Sequence, residues 1–284
     1  AENGEWHDIG LCNVETREIT WVNKSIGDDT QPAWSRSGES IGWVHAEGAR
    51  TSFQLREGSG AIKQMEVGAG VHYLPQFTSN SVVILYDDPS HPCDLWKFDL
   101  EDGSKQQLTN SLPEELHGAE FIQPEEVWYA GKDGAQVPAL LYRAKNNDAP
   151  AVIDIHGGPN WHFQFLWHPI MSHMAARGWT VLAPNYRGST GYGKKWQNAS
   201  RYDMGGVDTD DCAAGVKYLV DNNLANKNKI GVTGRSHGGY LTMTCLTTAP
   251  ELFAVGSAVV PFLNWHKSHQ KSREDLQHWN IENM

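Results

Sequence analysis

A spacing of 43 residues recurs through the first part of this 284-residue chain. Moving the sequence by that distance lays Pro32 on Pro75, Trp34 on Phe77, Ile41 on Ile84 and Trp43 on Tyr86. It also lays Phe53 on Trp96, Gly60 on Gly103 and Met65 on Leu108. Large apolar residues fall on large apolar residues, and turn residues on turn residues. A period of about 40–45 residues holding about four short strands is the pattern of a β-propeller blade. Strand-like runs at 40–45, 51–56, 62–67, 81–86, 94–100 and 105–109 fill the repeat, with Gly58-Ser-Gly60 and Asp102-Gly103 as turns. Residues 9–20 resemble the second half of another blade. The expectation for residues 1–120 is a partial, all-β propeller of about two and a half blades, where closed propellers have at least about four. A β-sandwich is the competing arrangement.

From about residue 125 the rhythm changes, across a soft boundary marked by Pro113 and Pro124. Runs at 127–130 and 137–142 make a hairpin around Lys132-Asp-Gly134. Strands at 151–155, 179–183, 229–233 and 253–260 then alternate with helices at 167–177, 207–223 and 237–248. Such alternation predicts a parallel sheet covered on both faces, joined by right-handed crossovers. The α/β region therefore spans residues 121–284.

Gly234-Arg-Ser236-His-Gly238 sits where the strand at 229–233 meets the helix at 237–248. A serine on so tight a turn is lifted above the sheet edge, and flanking glycines remove Cβ atoms that would collide with neighbouring backbone. The serine also lies at a helix N-terminus, where partial positive charge favours a developing oxyanion. Ser236 is thus the candidate nucleophile, and the His237 amide the first oxyanion donor. A second donor is expected on a loop after an earlier strand. His156-Gly-Gly-Pro159 follows the strand at 151–155, and Gly158 is the candidate.

His156-Gly-Gly-Pro159, Asn185-Tyr-Arg-Gly-Ser189 with Gly191-Tyr-Gly193, and Gly234-Arg-Ser-His-Gly-Gly-Tyr240 together resemble the prolyl oligopeptidase family of serine peptidases. The likeness is greatest to its acylaminoacyl-peptidase and dipeptidyl-peptidase-like members. It is strong over about residues 125–284. The resemblance implies an α/β-hydrolase domain capped by a propeller that restricts access to oligopeptides. It implies cleavage of short peptides through an acyl-enzyme on Ser236. It also implies that Val260-Pro-Phe-Leu-Asn-Trp265 lines the pocket for the residue before the scissile bond, with Phe262 and Trp265 as walls. His237 departs from the Tyr or Ala common after the serine, keeping the amide while altering the pocket.

A serine hydroxyl needs a general base and an orienting carboxylate, in the order Ser, Asp, His for this fold. The family places both farther beyond the nucleophile than Met284. The expectation is a chain cut at both ends, its α/β-hydrolase part incomplete at the C-terminal side and of little or no activity as it stands. A triad built from His269 and Asp275 is the weaker alternative. A carboxylesterase on the same fold, or a non-catalytic peptide-binding module, are the competing functions.

Composition removes other classes. The net charge of −11 and the absence of any Lys/Arg cluster argue against nucleic-acid binding. The longest mostly apolar stretch, 253–263, is about half the ~20 residues a membrane span needs. Cys12, Cys93, Cys212 and Cys245 form no C-x-x-C pair, so buried free thiols and a reducing, cytoplasmic setting are expected, with a periplasmic or secreted one also compatible. No H-E-x-x-H occurs and no metal or cofactor is implied. Asp208, Asp210 and Asp211 read as caps of the helix at 207–223, and Arg187 as half of an internal ion pair. The sequons at Asn23 and Asn198 read as chance. A short peptide is the expected partner, and the oligomeric state is open.

Overall fold

Residues 4–283 are described by the structure, a computed structural model. They divide into two units. The first runs up to Phe121 and includes Gln164–His168 and Gly191–Lys194. The second comprises Ile122–Phe163, Pro169–Thr190 and the chain from Lys195 on. Two short segments from the α/β part of the sequence therefore pack with the first unit. There the Phe165 N–H donates to Ala49 O at 2.9 Å, and the Arg50 guanidinium lies 3.6 Å over the Phe165 ring.

In the first unit, β1 (Gly10–Cys12) and β2 (Ile19–Trp21) form a two-stranded ladder. A four-stranded antiparallel sheet follows in sequence order: β3 (Asp28–Trp34), β4 (Ser40–Glu47), β5 (Arg50–Glu57) and β6 (Ile62–Met65). A second has the same order: β7 (Val71–Phe77), β8 (Ser81–Asp88), β9 (His91–Asp99) and β10 (Lys105–Gln107). The sequence repeat reappears as backbone geometry. The register of β3 shifts between Thr30 and Ala33, and that of β7 between Tyr73 and Gln76, each pair 43 residues on from the other. Gln31 and Leu74, at the same spacing, both have φ of 53°, and the Gln31 side chain accepts the Leu74 N–H at 2.6 Å.

The sequence runs missed β3 and β7. Both carry a proline at the irregularity, Pro32 and Pro75, and both are edge strands. Proline has no N–H for a ladder, so it belongs at such an edge or bulge and spoils the apolar alternation there.

Phe53, Leu55, Val82, Ile84 and Phe98 form one buried cluster drawn from both sheets, and Ile9, Val22, Ile41 and Trp43 form another. Each such side chain contributes roughly 1.5–3 kcal/mol by leaving water. Beside Trp43 the buried Asp29 carboxylate accepts from Trp43 Nε1 at 2.9 Å, His45 Nδ1 at 2.8 Å and Asn23 Nδ2 at 2.6 Å. The Asn23 amide of the first sequon is thereby held inside this network.

The second unit holds a six-stranded sheet. Its strands are β11 (Glu125–Ala130), β12 (Gln136–Tyr142), β13 (Ala151–Ile155), β14 (Thr180–Pro184), β15 (Ile230–Arg235) and β16 (Val255–Val259), in the order β11-β12-β14-β13-β15-β16. The last four are parallel, while β11 and β12 pair antiparallel and attach antiparallel to β14. The helices are α1 (Pro169–Ala176), α2 (Lys194–Asn198), α3 (Val207–Asp221), α4 (His237–Thr248), α5 (Trp265–Lys271) and α6 (Glu274–Asn283). The short α2, and α5 and α6, are additions to the sequence reading.

Alternation along the strands explains the layering. Ile153, Ile155, Leu182 and Val232 share a core with Cys212, Val216 and Leu219 of α3 and Leu241 and Cys245 of α4. The intervening residues, Val152, Val181 and Ala183, face the other side of the sheet. Among the described residues no helix is long and apolar enough to cross a membrane. All four cysteines are free, but only Cys212 and Cys245 are buried; Cys12 is exposed and Cys93 half-buried, correcting the expectation of four buried thiols.

Candidate active site

Ser236 lies between the last residue of β15 and the first of α4, with φ 59° and ψ −116°. An L-residue reaches this region only at a cost of about 1–3 kcal/mol, so the surrounding structure must impose it. Two glycines show how. A Cβ on Gly238 would stand 2.0 Å from Ile155 O, and one on Gly234 would stand 2.5 Å from Gly238 O. Strand β13, strand β15 and the first turn of α4 therefore meet backbone to backbone, which leaves Ser236 exposed at the apex. The Ser236 N–H donates to Val259 O at 3.0 Å, and Ser236 O accepts the Tyr240 N–H at 3.0 Å. Among the described residues no side chain hydrogen-bonds the Ser236 hydroxyl. Asp275, one half of the alternative triad, is exposed and pairs with Arg273 at 2.9 Å.

The His156-Gly-Gly-Pro159 loop runs beside the elbow. A Cβ on Gly157 would lie 3.4 Å from that of Ser236, and Gly158 has φ 125°. His156 is buried and anchors the loop. Its Nδ1 faces Gly157 O at 2.7 Å, its Nε2 faces Ser189 Oγ at 2.8 Å, and its ring stacks on Tyr186 at 4.3 Å. The Tyr186 hydroxyl donates to His156 O at 2.9 Å. Burial lowers the His156 pKa to about 3, so the ring is neutral, with its proton on Nδ1 toward the Gly157 carbonyl. Farther along, Asn185 clamps the loop through both the N–H and the carbonyl of Phe163, at 2.6 and 3.0 Å. Asn185, Tyr186 and Ser189 entered the sequence reading only through a resemblance. Nothing in their spacing reveals that they brace the loop next to the serine.

Phe262 and Trp265 come together at 4.6 Å, and Tyr240 joins them at 5.4 and 5.2 Å. The His237 ring adds a fourth member, 6.0 Å from Phe262 and 6.4 Å from Trp265.

Of the α3 aspartates only Asp208 makes a capping contact, accepting the first-turn Thr209 N–H at 2.9 Å, while Asp210 pairs with Lys132 at 3.2 Å. The helix begins at Gly206 with no side-chain cap on that residue, and it is Asp203 that accepts the Val207 N–H at 3.0 Å. Asp208 and Asp211 are fully buried. Asp211 holds Arg187 through the backbone N–H and Nε, both at 2.9 Å, and through the second guanidinium nitrogen at 2.6 Å. Asp133 closes the far side of the guanidinium at 2.5 Å. Arg187 is thus an internal ion-pair residue. Its pKa is raised, chiefly by the Asp211 hydrogen bonds, while burial pushes Asp211 up against the pull of the guanidinium.

A strained serine at a strand-to-helix elbow over a mostly parallel sheet is the arrangement in which serine hydrolases hold their nucleophile. Residues 161–284 match the prolyl oligopeptidase family (Peptidase_S9). The chain is similar to dipeptidyl aminopeptidase BIII of Pseudoxanthomonas mexicana, with 29% identity over 63% of this chain and 27% of that protein. It is also similar to the uncharacterized peptidase YuxL of Bacillus subtilis, with 26% identity over 81% of this chain and 37% of that protein. Among solved structures, a puromycin-hydrolyzing peptidase of Mycobacterium tuberculosis superposes with a TM-score of 0.90 at 20% identity, over 99% of this chain and 46% of its own. An acylaminoacyl peptidase of Pyrococcus horikoshii gives 0.81 at 21% identity, over 94% and 42%. The chain thus shares the fold of the two solved structures and spans less than half the length of each of these four proteins.

Proposed function

We propose that Ser236 is the nucleophile of a peptidase that cleaves short peptides through an acyl-enzyme. The amides of His237 and Gly158 serve as oxyanion donors, and Phe262 and Trp265 wall the pocket for the residue before the scissile bond. In this reading the first unit is part of a propeller, and the second is the catalytic α/β-hydrolase domain. The observation that carries it is the Ser236 backbone, held at φ 59° and ψ −116° by backbone contacts at Gly234 and Gly238. The φ/ψ strain is maintained at an exposed serine beside a Gly-Gly loop, the arrangement in which a nucleophile and two N–H donors serve one carbonyl.

In the reaction, the Ser236 oxygen bonds to the substrate carbonyl carbon while its proton passes to a general base. The oxyanion takes the two N–H bonds. Collapse expels the amine, which accepts the proton, and water then releases the acyl group by the reverse sequence. The reading assigns the base and its carboxylate to no residue of 4–283. The test is intact-mass analysis of the full-length protein after a fluorophosphonate probe, expected to show one adduct on Ser236 and none in Ser236→Ala. Turnover of a short acyl ester without turnover of any aminoacyl anilide would overturn the peptidase reading in favour of an esterase.

A further inference from the structure

The side chain that follows the proposed nucleophile is turned into the protein. His237 is 1% exposed, and its Nε2 lies 3.2 Å from Oδ2 of Asp208, which is wholly buried. The other Asp208 oxygen accepts the N–H of Gly205 at 2.8 Å and of Thr209 at 2.9 Å. A carboxylate removed from water has to be met by donors, so Nε2 carries the ring proton toward it. The start of α3 is itself fixed, because Asp211 one turn on is locked to Arg187. The imidazole also lies among Tyr240, Phe262, Trp265 and Tyr186, with ring centroids 5.7, 6.0, 6.4 and 6.2 Å away. One side chain therefore links a fixed helix start, an aromatic wall and the first amide of α4.

We propose that Asp208 is a positioning residue: through His237 it fixes the oxyanion-donating amide and the aromatic wall of Phe262 and Trp265. The proposal rests on the reading of Ser236 as nucleophile. Donors that stabilise a transition state must be held to within about 0.5 Å of their working geometry, by partners whose own rotamers are locked. The elbow strains the backbone at residue 236, and the Asp208 bond restrains the very next residue from its side-chain end. A second tie joins the same two helices without touching residue 237. Thr209 Oγ1 and Thr244 Oγ1 lie 2.7 Å apart, which supplies an internal control.

The experiment uses the full-length protein and follows fluorophosphonate labelling of Ser236, together with kcat and KM for an aminoacyl anilide. Asp208→Ala and His237→Ala are each expected to lower kcat 10- to 100-fold, and their double variant no further than the worse single. Asp208→Asn should stay within about threefold of the parent. Its oxygen can accept the Gly205 and Thr209 N–H groups while its amide donates to the other tautomer of His237. Thr209→Val should lower the melting temperature and leave kcat unchanged. The proposal fails if Asp208→Ala keeps the parent kcat while melting earlier, which is what a purely structural tie between helices would give. It also fails if the two alanine effects multiply. An unmodified protein that never labels would instead remove the nucleophile reading, and this inference with it.

Discussion

The two units bury their strands with opposite ranges of contact. In the first, each strand of the two four-stranded sheets pairs with its neighbour in sequence, and the second sheet reproduces the first 43 residues later, down to the bulge and the positive φ. In the second, β12 pairs with β14, and β13 lies between β14 and β15, so nearly every ladder joins distant segments. The first unit is a local pattern repeated; the second brings together His156, Ser189, Asp208 and Ser236 from separate connections. Chemistry needing several groups at one point suits the second arrangement, because parallel strands deliver their loops to one edge of the sheet.

The largest expected effect separates the units by function. Ser236→Ala in the full-length protein should lower peptide turnover about 10⁴- to 10⁶-fold. Urea melts should show both units as stable as before, since the serine is exposed and its hydroxyl supports no bond among the described residues. Next, Arg187→Met strands the buried Asp211 carboxylate and should destabilise the second unit by about 3–5 kcal/mol. Hydrogen exchange should show faster opening of α3 with β4 and β8 unchanged; equal loss in both units would merge them into one cooperative body. Gly238→Ala should cost the second unit about 3 kcal/mol or more, because Ile155 O cannot retreat from the new methyl without moving β13.

Acid acts on both units. Burial lowers His72 in the first to about 4 and His156 in the second to about 3, from an ordinary value of 6.5. The folded rings stay neutral while the unfolded chain takes up protons below pH 6.5. The stability from each neutral ring is therefore present above that pH and lost as pH falls. Between pH 7 and pH 5 the loss is about 2 kcal/mol per histidine. Asp154, raised by burial to about 6, and the raised Asp87 and His45 titrate in the opposite sense. The readout is therefore the difference between variants: His72→Gln should flatten the acid slope of the first unit alone. The smallest effect tests the blade network. Trp43→Phe removes one donor from the buried Asp29 and should cost the first unit about 1.5 kcal/mol in urea melts.

Much of this was legible in the residues. The strands at 151–155, 179–183 and 229–233 and the helix at 237–248 follow from apolar period and length. The elbow follows from two glycines placed around a serine. Strands β3 and β7 were illegible, because a proline at a bulge breaks the alternation that announces a strand. That Asp211 holds Arg187 and Asp208 also meets His237 was illegible for a related reason. Acidic residues in a first turn look alike in sequence whether solvent or a buried Arg187 and His237 awaits them.

The 43-residue period, the change to alternating strands and helices, and the position of Ser236 are determined by the sequence, since each depends on residues close together in the chain. The tertiary structure alone decides that Asp208 meets His237, that Asp211 meets Arg187 and that His156 is neutral. Those outcomes depend on strand order and on exclusion of water, and neither exists until distant segments have packed.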